Sequence, residues 1–226
     1  MSERRKRDRE VVYGQNAVAE AQRGRRRVHR VWTADELPAG ELTRLAGSPD
    51  HQGIVAEVDP YPYADPGALL DAPDALVVAL DQVQDPRNLG AICRSAEVAG
   101  AAGVLIPARR AARVTAVACK ASAGAVEHLP VARARNLAEW LAEAKQAGAW
   151  VYGARPDAPT RYDAVDWGGR VVLVLGGEGK GIRPRVAAAC DALVAIPQAG
   201  RVGSLNVAAA ASVLVFEALR QRGPRA

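Results

Sequence analysis

The stretch ALVVALDQVQDPRNLGAICRSAEVAG, residues 75–100, decides the fold class. Its first six residues, Ala75–Leu80, form an unbroken apolar run, the composition of a strand buried on both faces. Pro86 and Asn88 punctuate the end of that run, and a helical pattern follows over Leu89–Ala99, beginning near Asn88. Apolar strand-type runs recur at Gly103–Pro107, Trp150–Gly153, Val171–Gly176 and Ala192–Ile196, with helical patterns at Ala138–Gln146 and Asn206–Arg220. Such alternation predicts an α/β domain over residues 75–226 with a parallel sheet covered on both faces. Ligands in such sheets bind beyond the carboxyl ends of the strands. The loops after Leu80, Gly176 and Ile196 are therefore where chemistry is expected.

Upstream, residues 58–75 (VDPYPYADPGALLDAPDA) carry four prolines, which oppose regular structure. They divide the chain into a basic tail (1–10), a small α/β unit (11–60), a linker (61–74) and the larger domain. Within the small unit VVYGQNAVAEAQR reads as a turn and a short helix, and VHRVW and HQGIVAEV read as strands.

Charge is informative by its placement. The formal net charge is +5, and 10 of the 30 Lys/Arg lie in residues 1–30 against 4 Asp/Glu, so the remainder is close to neutral. RRKRDR (Arg4–Arg9) reads equally as a solvated tail or an RNA contact. RGRRRVHR contributes Arg23, Arg25, Arg26, Arg27 and Arg30 within patterned sequence, which favours RNA contact. Cys93, Cys119 and Cys190 are widely spaced, without C-x-x-C or histidines at ligand spacing, and predict free thiols and no metal. The Val207–Leu219 run is too short to span a bilayer and is interrupted by Glu217, so a cytoplasmic protein without a membrane partner is expected.

Three loops carry polar residues of specific chemistry. In the first, Asn88 either caps the following helix or belongs to a site with Arg94, six residues on. In the second, VLVLGGEGKGIRPRV (172–186), a phosphate-loop motif fails because Val174 stands where its first glycine belongs and Gly181 replaces the hydroxyl residue. A dinucleotide fingerprint fails too, since Gly177, Gly179 and Gly181 space as G-x-G-x-G. What remains is a turn with four glycines in six residues that allows close backbone approach. It carries Glu178, and Lys180, Arg183 and Arg185 follow as a basic rim suited to phosphates. The third loop, IPQAGRVGSLN (196–206), offers Ser204 and Asn206 as caps for the last helix.

Taken together, NLGAICRSAEVAG, VLGGEGKGI and IPQAGRVGSLNVAAAASVLVFEAL resemble, in order, the three signature motifs of the TrmH (SpoU) family of RNA 2'-O-methyltransferases, within the SPOUT superfamily. YGQNAVAEA and HQGIVAEV are similar to the L30e-like, ribosomal-protein-like RNA-binding domain of many members, so the resemblance spans nearly the whole chain. KASAGAVEHLPVARARNLAEWL is similar to the subgroup acting on a guanosine of 23S rRNA. Gly203 and the residues after Val207 depart from common family choices, which bears on subgroup rather than on activity.

The resemblance implies a trefoil-knotted catalytic domain, S-adenosylmethionine as methyl donor, a ribosomal RNA substrate and a homodimer paired through the last helix. By matching motif positions, Gly176, Ile196 and Leu205 would line the donor pocket. Arg94 would act on the ribose hydroxyl, Asn88 and Glu178 would orient Arg94 or the substrate, and Ser204 and Asn206 would complete the site. Lys180 and Arg183 join the N-terminal arginines as expected RNA contacts. Competing implications are methylation of tRNA or of a resistance-related rRNA site, and a non-catalytic ribosome-assembly factor.

Overall fold

The computed structural model describes residues 9–201 and 203–223, so the basic tail lies outside the described residues up to position 8. The small unit is β1 (Glu10–Tyr13), α1 (Gln15–Arg23), β2 (Val28–Thr33), α2 (Ala39–Ala46) and β3 (Ile54–Val58), with an antiparallel sheet ordered β1-β3-β2. Residues Val11–Tyr13, read as part of a turn, are strand: Glu10 pairs with Val58 and Tyr13 with Val55. Four residues are too few for a period to show, and it is the partner strand that settles their conformation.

The larger unit runs β4 (Leu76–Asp81), α3 (Pro86–Val98), β5 (Gly103–Pro107), α4 (Ala116–Ala121), β6 (Val131–Ala134), α5 (Leu137–Gln146), β7 (Trp150–Ala154), β8 (Thr160–Arg161), β9 (Val171–Gly176), α6 (Pro184–Ala187), β10 (Ala192–Ala195) and α7 (Val207–Arg222). Its seven strands are ordered β6-β5-β4-β9-β7-β10-β8, and all pairs are parallel. β4 and β9 pair in register from Leu76↔Val171 to Asp81↔Gly176. Their residues alternate between two cores: Leu76, Val78, Leu80, Val171, Leu173 and Leu175 face one, and Val77, Ala79, Val172 and Val174 face the other. A sheet covered on both faces needs this continuous apolar sequence with a period of two beneath it.

The small unit shares the first of those cores, where Val12, Ala17 and Val18 pack with Ile92, Cys93 and Cys119. Arg26 and Glu127 seal that junction. The connection at 59–75 is ordered rather than a free linker: Tyr61 is buried and its hydroxyl donates to the carbonyls of Val126 (2.9 Å) and Leu129 (3.2 Å). Leu69 and Leu70, in a 3-10 turn over Gly67–Leu70, enter the second core. No described helix is long and apolar enough to cross a membrane.

Candidate active site

The site assembles where β4 and β9 end side by side. Asp81, the last residue of β4, is fully buried, and its carboxylate accepts from the backbone N–H of Arg183 (2.8 Å) and from Arg183 Nε (2.8 Å). These bonds fold the turn 177–183 back over the strand ends. Gly176 and Gly177 are required by space: a Cβ on Gly176 would lie 2.0 Å from the carbonyl carbon of Gly181, and one on Gly177 2.3 Å from the carbonyl oxygen of Gln82. The four-glycine turn is thus a close backbone crossing that holds Glu178 at its outer edge.

Helix α3 begins earlier than the sequence pattern indicates. Pro86 occupies its first turn, and Asp85 caps it, accepting from the Arg87 N–H at 2.8 Å. Asn88 is therefore free of capping duty. Its Nδ2 donates to Glu178 Oε1 at 2.5 Å. Asn206 is the cap of α7: its Oδ1 accepts from the N–H of Ala208 (2.9 Å) and Ala209 (3.4 Å). The other end of that amide donates to Asn88 Oδ1 (3.1 Å) and Glu178 Oε1 (3.3 Å). Residues from three separated loops thus form one hydrogen-bonded set. Glu178 Oε2 has no partner among the described residues.

Two cavities flank this set. One, of about 370 Å³, is lined by Gly176, Ile196, Ser204 and Leu205 together with Leu175 and Val194. Its volume lies within the roughly 300–1,000 Å³ of small-molecule sites. Apolar walls, an exposed Leu205 and the bare backbone of the glycine turn suit the flat, partly apolar adenosyl moiety of S-adenosylmethionine. The other cavity, of about 390 Å³, is lined by Gln82, Gln84, Asn88, Arg110 and Lys180. Glu178 borders both.

Arg94 is not part of this set: it is exposed on α3, lines neither cavity and makes no hydrogen bond or ion pair among the described residues. Six residues along a helix turn it about 120° away from Asn88. Arg23, Arg25, Arg27 and Arg30 are exposed on the small unit, and the Arg30 guanidinium lies 5.0 Å from the Trp32 ring centre. Arg25 donates to the carbonyls of Glu127 (3.2 Å) and Leu129 (2.9 Å). Arg26 departs from the surface role expected of it: its side chain is 1% exposed and is ion-paired with Glu127, so it faces the interior rather than solvent. Gln198 and Arg155 line the first cavity and Arg110 the second; Gln198 lies in the third loop without a motif to mark it, and Arg155 and Arg110 reach the site only through the sheet order.

The match to known proteins is extensive. The model of the SpoU rRNA Methylase family covers residues 75–216. This chain belongs to the SpoU family. A protein of Bacillus subtilis assigned to the TrmH family of tRNA/rRNA methyltransferases is 38% identical, over 95% of this chain and 97% of its own. An uncharacterized tRNA/rRNA methyltransferase of Mycolicibacterium vanbaalenii is 50% identical over 83% of this chain, which spans 61% of that relative's length. The SpoU methyltransferase AviRb of Streptomyces viridochromogenes, solved in complex with the cofactor AdoMet, superposes with a TM-score of 0.80 at 27% identity, covering 97% of this chain and 92% of its own. The 75–216 match contains all three loops that build the hydrogen-bonded set.

Proposed function

We propose that this SpoU-family protein transfers a methyl group to a ribose 2'-hydroxyl of RNA, with a guanosine of 23S rRNA as the target. The observation that carries the reading is the Asn88–Glu178–Asn206 set standing between an apolar cavity and a polar one. S-adenosylmethionine, when bound, supplies an electrophilic methyl on its sulfonium, and Gly176, Ile196 and Leu205 are the residues to hold it.

The chain's own task is to hold a hydroxyl still and manage its charge. Asn88 and Asn206 both donate to Glu178 Oε1, which fixes the carboxylate and leaves Oε2 to accept a hydrogen bond from the ribose hydroxyl and to take its proton as the oxygen is methylated. Such positioning supplies on the order of 7–11 kcal/mol in favourable cases. Ser204 completes the lining of the donor cavity. Arg94 stays protonated, because a guanidinium does not give up its proton in proteins. It lines neither cavity of its own chain, so its proposed role of binding the adjacent phosphate and stabilising developing alkoxide charge is exercised in the site of a second copy, across the homodimer.

A homodimer belongs to this reading. Val98 on α3 (61% exposed) and Val213 and Phe216 on α7 (37% and 44%) leave an apolar surface on two packed helices, whose Ser95 and Ser212 hydroxyls meet at 2.7 Å. Arg94 lies one helical turn from Val98. A trefoil knot in the sheet domain belongs to it as well, as the family resemblance implies. Arg23, Arg25, Arg27, Arg30 and Lys180 are the proposed outer RNA contacts, and the half-exposed Arg183 guanidinium, paired with Asp81, keeps N–H groups free to donate to a phosphate.

The deciding experiment is transfer of a labelled methyl from S-adenosylmethionine to unmodified 23S rRNA, followed by nucleoside mass spectrometry. The expected product is 2'-O-methylguanosine; another 2'-O-methyl nucleoside moves the target, and no transfer despite donor binding overturns the reading. Arg94→Ala should lower turnover by two orders of magnitude or so while leaving donor affinity within about threefold. Equal loss of both would remove Arg94 from the chemistry.

A further inference from the structure

We propose that the arginine-lined cleft beyond the carboxyl ends of β5 and β6 binds consecutive phosphodiesters of the substrate RNA, an inference that rests on the RNA-directed reading above. The cleft encloses about 310 Å³ and is lined by Arg109, Arg110, Arg135, Arg183 and Arg185. They converge from three segments distant in sequence: the loop after β5, the residue after β6, and the turn after β9 with the first residues of α6.

The local charge is not balanced. Arg183 is held by the buried Asp81, and Arg185 lies 3.8 Å from Glu139, with both of those side chains largely exposed. Arg109, Arg110 and Arg135 are exposed and have no hydrogen bond or ion pair among the described residues. Five arginines thus face two carboxylates, a net of three positive charges around one concavity. Like charges gathered in this way repel one another, and a cleft concentrates their field on a polyanion. The planar guanidinium fork matches phosphate oxygens in pairs.

Position favours an RNA backbone over an isolated anion. Gln82 and Arg110 line both this cleft and the polar cavity that holds Asn88 and Glu178. A strand lying on the arginines therefore continues into the reactive set, which a free phosphate has no means to do. The same two residues have φ of +64° and +56°, a conformation that L side chains adopt at a cost. That strain sits where the two cavities join.

The test uses the full chain and unmodified 23S rRNA transcript as probe. Filter binding from about 50 to about 200 mM salt compares wild type, the cleft variant Arg109→Gln/Arg110→Gln/Arg135→Gln, and a control, Arg44→Gln/Arg161→Gln/Arg220→Gln, that removes the same charge elsewhere. Three lost phosphate contacts should flatten the slope of log affinity against log salt by about 2–3, and the control should leave it unchanged. Arg109→Gln and Arg135→Gln alone should each flatten it by about 0.7–0.9, which covers failure of the triple variant to fold. Wild-type slope and affinity in the cleft variants, or equal loss in the control, overturns the inference. Methyl transfer assayed in parallel separates the two readings. Transfer by wild type with unaffected cleft variants removes the cleft alone; a flattened slope without any transfer keeps the cleft and removes the methylation reading.

Discussion

Arg26 and Glu127 meet where the small unit docks on the sheet domain, with side chains 1% and 0% exposed, whereas Asn88, Glu178 and Asn206 meet at the mouths of two cavities. In the interior pair both carboxylate oxygens of Glu127 are used. Arg26 donates to both oxygens of Glu127, to Glu10 Oε2 (3.1 Å) and to Cys119 Sγ (3.4 Å). In the outer cluster one carboxylate oxygen is left over. A saturated polar cluster fixes the relation of two units, and an unsaturated one retains the capacity to bind. Stability and activity should therefore separate cleanly between them.

The largest effect expected is on the interior cluster. Burial pulls the Arg26 guanidinium toward neutrality, and the hydrogen bonds and charge of Glu127 more than reverse that pull, so its pKa is raised and it stays charged. Glu127→Ala would leave that charge without its main partner, at a cost of about 3–5 kcal/mol. Replacing both residues with apolar side chains of similar volume should recover most of the loss. Denaturant midpoints measure this, and a loss below about 1 kcal/mol for Glu127→Ala would mean that the junction is not held this way.

Alkaline pH gives a second, more gradual break in the same place. Burial raises the Cys119 thiol, despite the opposing charge of Arg26, from its ordinary 9.0 to about 12. A thiol with a raised folded-state pKa stabilises fully below its unfolded pKa, and that contribution is lost as pH rises toward the folded value. Between about pH 9 and 12 stability should therefore fall by up to about 1.4 kcal/mol per pH unit for this thiol. Urea midpoints of wild type and Cys119→Ala should diverge in slope above pH 9. Parallel slopes would mean that Cys119 does not control the loss.

The two clusters also differ in how far the sequence announces them. The sheet domain was legible because its central strands are long apolar runs, and all three loops named from the sequence hold polar residues of the outer cluster. Asn88, like Ser204 and Asn206, reads either as a cap or as a site residue, and only the placement of Asp85 and Pro86 one turn earlier resolves Asn88, while Asn206 proves to be both. Arg26 is offered as an RNA contact only because it belongs to a basic cluster; nothing in RGRRRVHR marks which guanidinium meets a carboxylate 101 positions away. β6 and α4 went unread for a related reason, since VARA and AVACKA are too short and too rich in alanine to show a period. The arginine cleft joins segments that become neighbours only through the strand order β6-β5-β4-β9. Local pattern reveals elements and motifs; partners set by sheet order stay hidden from it.

The smallest stability effects and the sharpest functional ones belong to the outer cluster, where Asn206 serves both purposes with opposite ends of one amide. Asn206→Ala should remove the α7 cap and cost about 1 kcal/mol. Asn206→Asp separates the two duties. A carboxylate there still accepts from Ala208 and Ala209 and is favoured at a helix N-terminus, so stability should stay within about 0.5 kcal/mol of wild type. The amide donor to Asn88 and Glu178 is gone, however, and a second negative charge stands beside Glu178. Turnover should fall by at least an order of magnitude even though the fold is intact. Glu178→Gln should likewise leave the denaturant midpoint within about 0.5 kcal/mol, as surface substitutions do, while removing the carboxylate that both asparagines orient. If Asn206→Asp were as active as wild type, Asn206 would be a cap and nothing more, and the outer cluster would reduce to the Asn88–Glu178 pair.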